Sequence, residues 1–408
     1  MRLGESANDA AAPFGRPLDG VRIVSLEQMQ ALPFATQLCA RLGADVIKVE
    51  QVGRGDAGRA AAPAVTRENG ERIGATFLRN NLDKRSVAID LTSDRGRRLV
   101  VDLAGTADVV AENLGPGRAK KFGLDYASLA PDLPAMIYLS ISGFGSDGRS
   151  PYDAWPAYAS VAEALSGIYE YSRLPDRPPV LSPSGGLGDT GTGLFAVIGI
   201  LAALRHREAT GLGQNVDVAM LDAMLSLADV SFNFWSMGLR GNRQAPLIMD
   251  GFRASDGWFI IQVGREHQFE RLAHTIGKPE WLTDPKFETR EGWRTHLEDT
   301  IRPAVEAWAG TRTRLEVCDA LARDGIAAGP CHTPEDIVAD PHVAARNMLV
   351  EIPRTDGDDE PVLVPGNPVK LSRVAQGPET YPPRLGEHTE SVLRSELEIG
   401  RASCRERV

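Results

Sequence analysis

The sequence predicts an α/β fold with a large, Rossmann-like domain that contains a doubly wound sheet and with a smaller α+β domain. Short apolar, β-branched segments alternate with helical segments through the first 220 residues. Parallel strands need such helical crossovers, so this alternation favours a parallel sheet of the Rossmann-like kind. Near residue 241 the pattern changes to one strong strand followed by several amphipathic helical segments.

The opening of the chain predicts a βαβ unit. Residues 21–26 and 45–50 are rich in Val and Ile and predict two strands. Between them Pro33 is placed to open a helix that continues over residues 35–42, and Gly43 ends it.

The alternation continues along the chain and defines the remaining elements of both domains. In the large domain we expect strands at 85–91, 109–110, 135–142 and 214–218, and helices at 93–104, 126–129, 194–207 and from Met220 onward. In the small domain we expect a turn at 251–257, a strand at 258–263 and amphipathic helices at 269–276, 293–308 and 315–322.

These elements predict the domain organisation. The large domain is expected over 18–220, the small domain over 246–325, linkers over 221–245 and 326–344, and a flexible lead-in over 1–17. Residues 398–408 resemble the translation of a sequencing adapter, and we predict that they are a non-native tail.

Composition narrows the class of protein. The chain has 408 residues, of which 42% are hydrophobic and 25% charged, as in globular proteins. The net charge of −10 and the lack of a basic block argue against nucleic acid as a partner. The four cysteines are scattered without metal-ligand spacing, which favours a reducing, cytoplasmic location and no metal site. We find no apolar run long enough to predict a membrane span.

A glycine-rich segment, residues 185–193, brings the carboxylate of Asp189 to the predicted start of a helix. From the local sequence alone, an Asp in this place is most simply a helix N-cap. The alternative is a nucleophile, because glycines leave room for a ligand and the helix dipole favours an ionised carboxylate.

Other catalytic motifs receive little support. Glu50 ends the second strand, where a dinucleotide-binding protein has its ribose-binding acid, but the first turn, residues 27–31, has no glycine. A GxGxxG match at 143–148 is followed by Pro151 and not by a clear helix. The sequence contains no GxSxG, HExxH or P-loop motif.

The segment from Gly188 to Ala223 resembles the signature of class III CoA-transferases, the CaiB/BaiF-like family of formyl-CoA transferase and carnitine CoA-transferase. The family resemblance extends from residue 18 to about 393, with further matching segments at 18–24, 42–50, 81–86, 112–117 and 385–389. It implies that Asp189 is the catalytic nucleophile and that Gln30 is an oxyanion donor, together with backbone N–H groups near Gly188 and Gln30. It also implies that the chain returns to the large domain over 345–397, which makes that domain discontinuous, and that two chains form an interlocked homodimer.

The same resemblance implies the ligands. The substrates would be an acyl-CoA and a free carboxylic acid, with coenzyme A as a substrate and no metal or redox cofactor. Gln51 stands where formyl-CoA transferase has Arg. The residues expected to bind CoA are Gln30, Ala31, Ile89, Asp90, Leu91, Thr92, Asn113, Leu114, Gly115, Lys121 and Tyr158.

Two alternatives remain open. An α-methylacyl-CoA racemase-like enzyme needs a second acid/base group, which in the racemases is a His where this chain has Tyr158. A Tyr with a pKa near 10 is a poor general base at neutral pH, so this position favours transfer. The next residue, usually acidic, is Ala159 here. The other alternative is a non-catalytic acyl-CoA binding protein, and nothing in the sequence selects the acyl pair.

Overall fold

The structure, a computed structural model, describes residues 1–66, 70–171, 173, 176–182, 185–238, 246–354 and 356–399. The described residues form two compact units. The first contains Met1–Gly238 and the chain from Ala344 onward, and the second lies within Leu239–Val343.

The strands and helices of both units are numbered here in chain order. The strands are β1 (Arg22–Leu26), β2 (Asp45–Glu50), β3 (Ala64–Thr66), β4 (Arg72–Gly74), β5 (Lys84–Ala88), β6 (Val109–Glu112), β7 (Ile137–Ser142), β8 (Asn215–Ala219), β9 (Ile248–Ala254), β10 (Gly257–Val263), β11 (Ala327–Pro330), β12 (Leu349–Ile352) and β13 (Val362–Pro365). The α-helices are α1 (Ala31–Arg41), α2 (Ala75–Asn80), α3 (Asp94–Ala104), α4 (Arg118–Phe122), α5 (Tyr126–Leu129), α6 (Ala159–Leu165), α7 (Ile168–Tyr171), α8 (Leu187–Thr210), α9 (Met220–Leu227), α10 (Asp229–Ser236), α11 (Glu266–Thr275), α12 (Arg290–Thr295), α13 (Arg302–Ala309), α14 (Arg314–Arg323), α15 (Pro334–Ala339), α16 (Pro341–Ala345) and α17 (Thr389–Leu397). Short 3₁₀ turns lie at Asp9–Phe14, Ala57–Ala60, Pro279–Leu282 and Pro285–Phe287, and a π-helical turn lies at Leu297–Ile301.

The main sheet of the first unit has the order β5-β2-β1-β6-β7-β8, and every neighbouring pair is parallel. The chain therefore winds outward from β1 in one direction and from β6 in the other. The point between β1 and β6 is where ligands bind in open parallel sheets. The predicted doubly wound fold is confirmed.

Helices cover both faces of this sheet, which explains why its strands are apolar on both sides. Ile23 and Val46 pack on the face covered by α1 and α8. Val24 and Ile47 pack on the opposite face, with side chains of α3 and α17.

Helix α8 begins at Leu187, seven residues before the predicted start at residue 194. The glycines that favour a loop in the sequence are packing positions inside the helix. A Cβ atom at Gly193 would lie 2.9 Å from the carbonyl oxygen of Ala31, and one at Gly191 would lie 2.6 Å from Leu227 Cδ1. These two glycines therefore serve close helix packing, and not only ligand approach.

The length of α8 also corrects the expectation about membrane spans. Among the described helices, α8 alone is long and apolar enough to cross a membrane by length and composition. Part of the helix lies in the core, where Ala196 and Ile200 are buried against the sheet and α1. A core helix of a globular unit passes the same test, so α8 by itself does not indicate a membrane protein.

The second unit is built on the antiparallel sheet β11-β10-β9. The turn predicted at 251–257 is shorter, because β9 continues to Ala254 and pairs residue by residue with β10 from Gly257. The linker predicted at 326–344 is corrected as well. Ala327–Pro330 forms the edge strand β11, because its backbone pairs with β10.

Two further segments differ from the predicted lead-in and linker. The backbone N–H of Leu3 donates to Glu351 O at 3.0 Å, and that of Ala7 donates to Gln376 O at 2.8 Å. The first residues therefore pair with the returning chain of the same unit. The described part of the predicted linker 221–245 forms helices α9 and α10. Residues 239–245 and 400–408 lie outside the described residues.

Candidate active site

The loop between β1 and α1 presents Gln30 at the carboxyl edge of the parallel sheet. Partners on both sides fix this loop. The main chain of Gln28 makes two 3.0 Å hydrogen bonds with the side chain of Asn113, which follows β6. The N–H of Met29 donates to Asp56 Oδ1 at 2.9 Å, and Met29 has a φ of 62°. The direction of Gln30 is therefore set before any ligand binds.

A buried ion cluster lies under the start of this loop. We call Glu27, Lys48, Asp56 and Lys84 the loop ion cluster. Lys48 Nζ lies 2.7 Å from Asp56 Oδ2 and 3.3 Å from Glu27 Oε1. Lys84 Nζ lies 2.7 Å from Glu27 Oε1. Two ammonium groups and two carboxylates balance one another, as full burial requires.

The pKa values in the loop ion cluster follow from this pairing. Burial opposes ionisation of Glu27, but Lys84 and Lys48 outweigh it and hold the pKa of this carboxyl below its usual value. Burial lowers the pKa of Lys84 to about 8, although Glu27 opposes that shift. Thr36 Oγ1 donates to the other oxygen of Glu27 at 2.6 Å, so both oxygens of this carboxylate are occupied.

Asp189 lies in the first turn of α8, as the third residue of the helix. Gly186 is the N-cap, and Asp189 makes no cap hydrogen bond, so the interpretation of Asp189 as an N-cap is wrong. Its side chain is only partly buried. Burial and the nearby charge of Glu163 raise the pKa of Asp189 to about 6, and Arg79 acts in the opposite direction. The carboxylate is therefore ionised at neutral pH and more basic than an ordinary Asp.

Glu163, on α6, is the second carboxylate near the start of α8. It is buried, with an exposed fraction of 2%. Its Oε1 accepts a hydrogen bond of 2.8 Å from the N–H of Gly188, and its Oε2 accepts one from the hydroxyl of Tyr169. The N–H of Gly188 is thus occupied and is not a free donor, whereas a donor role for the other backbone N–H groups near Asp189 stays a prediction.

The amide of Gln30 borders the same space as the Asp189 carboxylate. A Cβ atom at Gly186 would lie 2.9 Å from Gln30 Nε2 and 3.0 Å from Asp189 Oδ2. Gln30 has an exposed fraction of 7%, and its Nε2 has no hydrogen-bond partner among the described residues.

Arg79 fixes the orientation of that amide. The guanidinium of Arg79 donates to Gln30 Oε1. Because Arg has donors only, the oxygen end of the amide must face Arg79. The nitrogen end is then left as an unpaired donor beside Asp189.

A pocket of about 190 Å³ lies at the sheet edge next to this loop. Glu27 and Gln28 line it, three and two residues before Gln30. Five residues predicted to bind CoA share this pocket, namely Ile89, Asp90, Leu91, Thr92 and Leu114. Gln51 and Arg118 also line it. Its volume accommodates a portion of a ligand as large as CoA.

Comparison with known proteins identifies the family. Residues 18–389 match CoA-transferase family III. This chain belongs to that family. It is similar to the succinyl-CoA:mesaconate CoA-transferase of Haloarcula hispanica, with 34% identity over 385 residues that cover 92% of this chain and 95% of that protein. It is equally similar to the acetyl-CoA:oxalate CoA-transferase of Acetobacter aceti, with 34% identity over 370 residues that cover 89% and 90%.

A solved structure supports the same assignment. A CAIB/BAIF family protein from Brucella suis has a TM-score of 0.81 and 34% sequence identity, covering 94% of this chain and 100% of that one. The predicted family is confirmed, and the chain is a CoA-transferase.

Several residues predicted to bind CoA in this family III CoA-transferase lie outside the 190 Å³ pocket. Asn113 uses its side chain to hold the Gln28 main chain. Ala31 is buried at the start of α1. Lys121 is exposed on α4, one turn after Arg118, the cation that lines the pocket. Tyr158 precedes α6 with an exposed fraction of 74%.

Gly115 lines a different and larger pocket of about 410 Å³ at the ends of β6 and β7. Glu112, Asp125 and Asp153 also line it, and so does part of the GxGxxG segment at 143–148. That segment runs into a turn rather than a helix, since α6 begins only at Ala159. In the described parts of the chain, no group of three or more His, Cys, Asp or Glu side chains is placed to hold a metal ion.

Sequence reasoning missed three charged residues of the site. Glu163 lies one helical turn after Ala159, so the expected carboxylate comes from the next turn of the same helix. The family resemblance indicates Lys121, whereas the cation that lines the 190 Å³ pocket is Arg118. Arg79 precedes the matching segment 81–86 and carried no signal at all.

Proposed function

We propose that this chain transfers CoA from an acyl-CoA to a free carboxylic acid through covalent intermediates on Asp189. An oxygen of Asp189 attacks the thioester carbonyl, the C–S bond breaks, and a mixed anhydride and CoA thiolate result. The thiolate attacks the aspartyl carbonyl, the anhydride C–O bond breaks, and the donor acid leaves as a carboxylate. The product is an aspartyl-CoA thioester.

The acceptor repeats these steps in reverse. Its carboxylate attacks the aspartyl thioester, and the thiolate departs as a new mixed anhydride forms. The thiolate then attacks the acyl carbonyl of that anhydride, which releases the new acyl-CoA and restores the Asp189 carboxylate. Every bond that breaks is matched by one that forms, and no step calls for a metal or redox cofactor.

One observation carries this proposal, namely that the Asp189 carboxylate and the unpaired Nε2 donor of Gln30 border the same space. Each step develops a negative charge on a carbonyl oxygen, and a preorganised donor stabilises that charge. The donor costs no reorganisation, because Arg79 already holds the other end of the amide.

The racemase alternative needs a second base, and neither Tyr158 nor Glu163, the described residues considered for it, is free to act as one. Tyr158 is largely exposed, and both oxygens of Glu163 accept hydrogen bonds. A non-catalytic acyl-CoA binding protein would have no use for a partly exposed carboxylate with a raised pKa. Transfer therefore explains more of the site than either alternative.

The substrate class follows from the relatives. The relatives named above transfer CoA to or from mesaconate and oxalate, both of which are dicarboxylates. We propose a dicarboxylic acid for at least one substrate of this chain. The CoA moiety would occupy the pocket of Ile89, Leu91 and Leu114, with Arg118 as its nearest cation.

A homodimer and a cytoplasmic location remain proposals. Helix α8 exposes Leu194, Ile198 and Leu201 in one row, and Ile198 has an exposed fraction of 60%. An exposed apolar row on a core helix favours a second copy as its cover, and the mass in solution decides it. The three described cysteines are free, as in a reducing compartment.

The decisive experiment is a search for the covalent intermediate. The protein is incubated with a panel of acyl-CoA donors, and mass spectrometry locates CoA on the peptide that contains Asp189. We expect the adduct in the native chain and a loss of label exchange of at least about 10⁴-fold in Asp189→Ala. Asp222→Ala, another first-turn Asp on an exposed helix face, is the matched control and should exchange normally. Native-like exchange by Asp189→Ala refutes the mechanism.

A further inference from the structure

We propose that Arg79 binds the carboxylate of the substrate that does not react, and thereby selects dicarboxylic over monocarboxylic substrates. The inference rests on the proposed function, because it assigns a role within the same site. No motif in the sequence marks Arg79.

Among the described residues, Arg79 is a cation that uses one hydrogen bond of the several its guanidinium can donate. It lies near the end of α2 and is half-buried. Among the described residues its guanidinium has one acceptor, Gln30 Oε1, and no carboxylate partner. A guanidinium carries five N–H donors in a planar fork that fits a carboxylate.

Other buried arginines of the same unit are used differently. Arg59 makes two hydrogen bonds to the carboxylate of Glu50, at 2.8 and 2.6 Å. Arg41 lies 2.9 Å from Glu379. Within the part of the chain that the structure describes, Arg79 pairs with a neutral amide and with no carboxylate, which leaves its charge available to a ligand.

The position of Arg79 relative to Asp189 suits the carboxylate that does not react. The nitrogen end of the Gln30 amide lies beside Asp189, where the reacting carbonyl must sit. The oxygen end lies on Arg79. A group bound to the guanidinium is therefore beside the reacting carbon and not at it, which is the relation between the two ends of a short dicarboxylate.

The charge of the site also favours Arg79 as the group that binds the second carboxylate of the substrate. A substrate carboxylate near Asp189 and Glu163 adds a third negative charge to a partly buried site. Such a charge needs a cation within hydrogen-bond reach. Arg79 already acts on this site, since its charge opposes the rise in the pKa of Asp189.

The test compares matched ligands that differ in one carboxylate. Calorimetry measures binding of succinate, glutarate and mesaconate, and of monocarboxylates in which a methyl group replaces one carboxylate, such as butyrate and valerate. We expect the native chain to bind at least one dicarboxylate about 10- to 100-fold more tightly than its monocarboxylate partner. Arg79→Gln should abolish that preference, so that each dicarboxylate binds no more tightly than its monocarboxylate partner. Arg79→Lys should retain part of it, because it keeps the charge without the fork.

Arg205→Gln removes a positive charge from an exposed pair on α8 and is the control for net charge. A native chain that binds both ligands of every pair equally overturns the inference. Equal weakening of both ligands by Arg79→Gln overturns it too, because Arg79 would then hold the reacting carboxylate. The aspartyl-CoA adduct is measured on the same samples. If the adduct forms but the chain shows no preference for dicarboxylates, only the role of Arg79 is refuted. If the preference is measured but no adduct forms, only the covalent mechanism is refuted.

Discussion

The loop ion cluster and the Asp189 site both contain carboxylates and cations. In the described part of the chain, these side chains are fully paired in the loop ion cluster and only partly paired in the Asp189 site. In the loop ion cluster, both oxygens of Glu27 and both ammonium groups of Lys48 and Lys84 have partners. In the Asp189 site, Gln30 Nε2 is unpaired among the described residues, and Arg79 has a single neutral partner. Complete pairing stabilises the loop, whereas incomplete pairing leaves donors for a substrate.

The pKa values record the same difference. Glu27 is fully buried, yet two ammonium groups hold its pKa below the usual value. Asp189 is less buried, but burial and the charge of Glu163 raise its pKa to about 6. Arg79 lowers this pKa, but its effect is smaller than those of burial and Glu163. A carboxylate that is less buried and nonetheless more basic indicates a site organised for reaction rather than for stability.

Breaking the loop ion cluster should have the largest effect on stability. Lys84→Met removes the ammonium group that lies 2.7 Å from Glu27. The buried Glu27 carboxylate then has one neighbouring ammonium group, that of Lys48, instead of two. We expect the free energy of unfolding to fall by about 3–5 kcal/mol, measured by urea denaturation. Lys120→Met, an exposed Lys→Met change on α4 of the same unit, should change it by less than about 0.5 kcal/mol.

The double variant Glu27→Gln, Lys84→Met sharpens this prediction. It removes both charges of the pair and should recover part of the loss, since no carboxylate is then left uncompensated. If Lys84→Met unfolds at the native urea concentration, the cluster is not the support of the loop.

The sequence predicts the first βαβ unit closely, because each signal there is local. The strand predicted at 21–26 is Arg22–Leu26, and the strand predicted at 45–50 is Asp45–Glu50. The start of α8 could not be predicted in this way. Gly188, Gly191 and Gly193 favour a loop by propensity, but their neighbours Ala159, Leu227 and Ala31 come from other parts of the chain.

The candidate site was predictable only as far as the family signature extends. Asp189 lies in that signature and Gln30 is implied by the wider family resemblance, and the structure brings their side chains to one space. Glu163 and Arg79 act on Asp189 from α6 and α2, and their roles depend on tertiary contacts that no spacing in the sequence encodes. Lys121 and Arg118 are both basic residues of α4, and only the course of the helix decides which one lines the pocket.

Removing the unpaired donor should separate activity from stability. Gln30→Ala deletes the Nε2 group beside Asp189 and should lower the rate of CoA exchange by about 10²–10³-fold. The loop itself is held by Asn113 and Asp56, so the free energy of unfolding should change by less than about 1 kcal/mol.

Gln262→Ala is the matched control, because Gln262 is an exposed Gln on β10 and lines neither the Asp189 site nor the 190 Å³ pocket. It should keep most of the exchange activity. A Gln30→Ala variant with native exchange, or one destabilised as strongly as Lys84→Met, would remove the distinction between the two regions.

The smallest effect we predict is a shift in the pH dependence of the first half-reaction. In the proposed mechanism the nucleophile is the ionised Asp189, whose pKa is raised to about 6, so the rate should rise with pH through about 6 and then level off. Glu163→Gln removes the neighbouring negative charge, and its amide oxygen still accepts from the N–H of Gly188. The pKa of Asp189 should therefore fall and the inflection should move to lower pH by less than about one unit. Glu170→Gln, an exposed residue paired with Arg173, should leave the inflection in place. Single-turnover formation of the aspartyl-CoA adduct across pH measures this inflection directly.

An inflection that stays fixed or moves upward in Glu163→Gln means that the charge of Glu163 does not raise the pKa of Asp189. Its raised pKa would then have to come from burial alone, and the contrast with Glu27 would be a matter of solvent and not of partners.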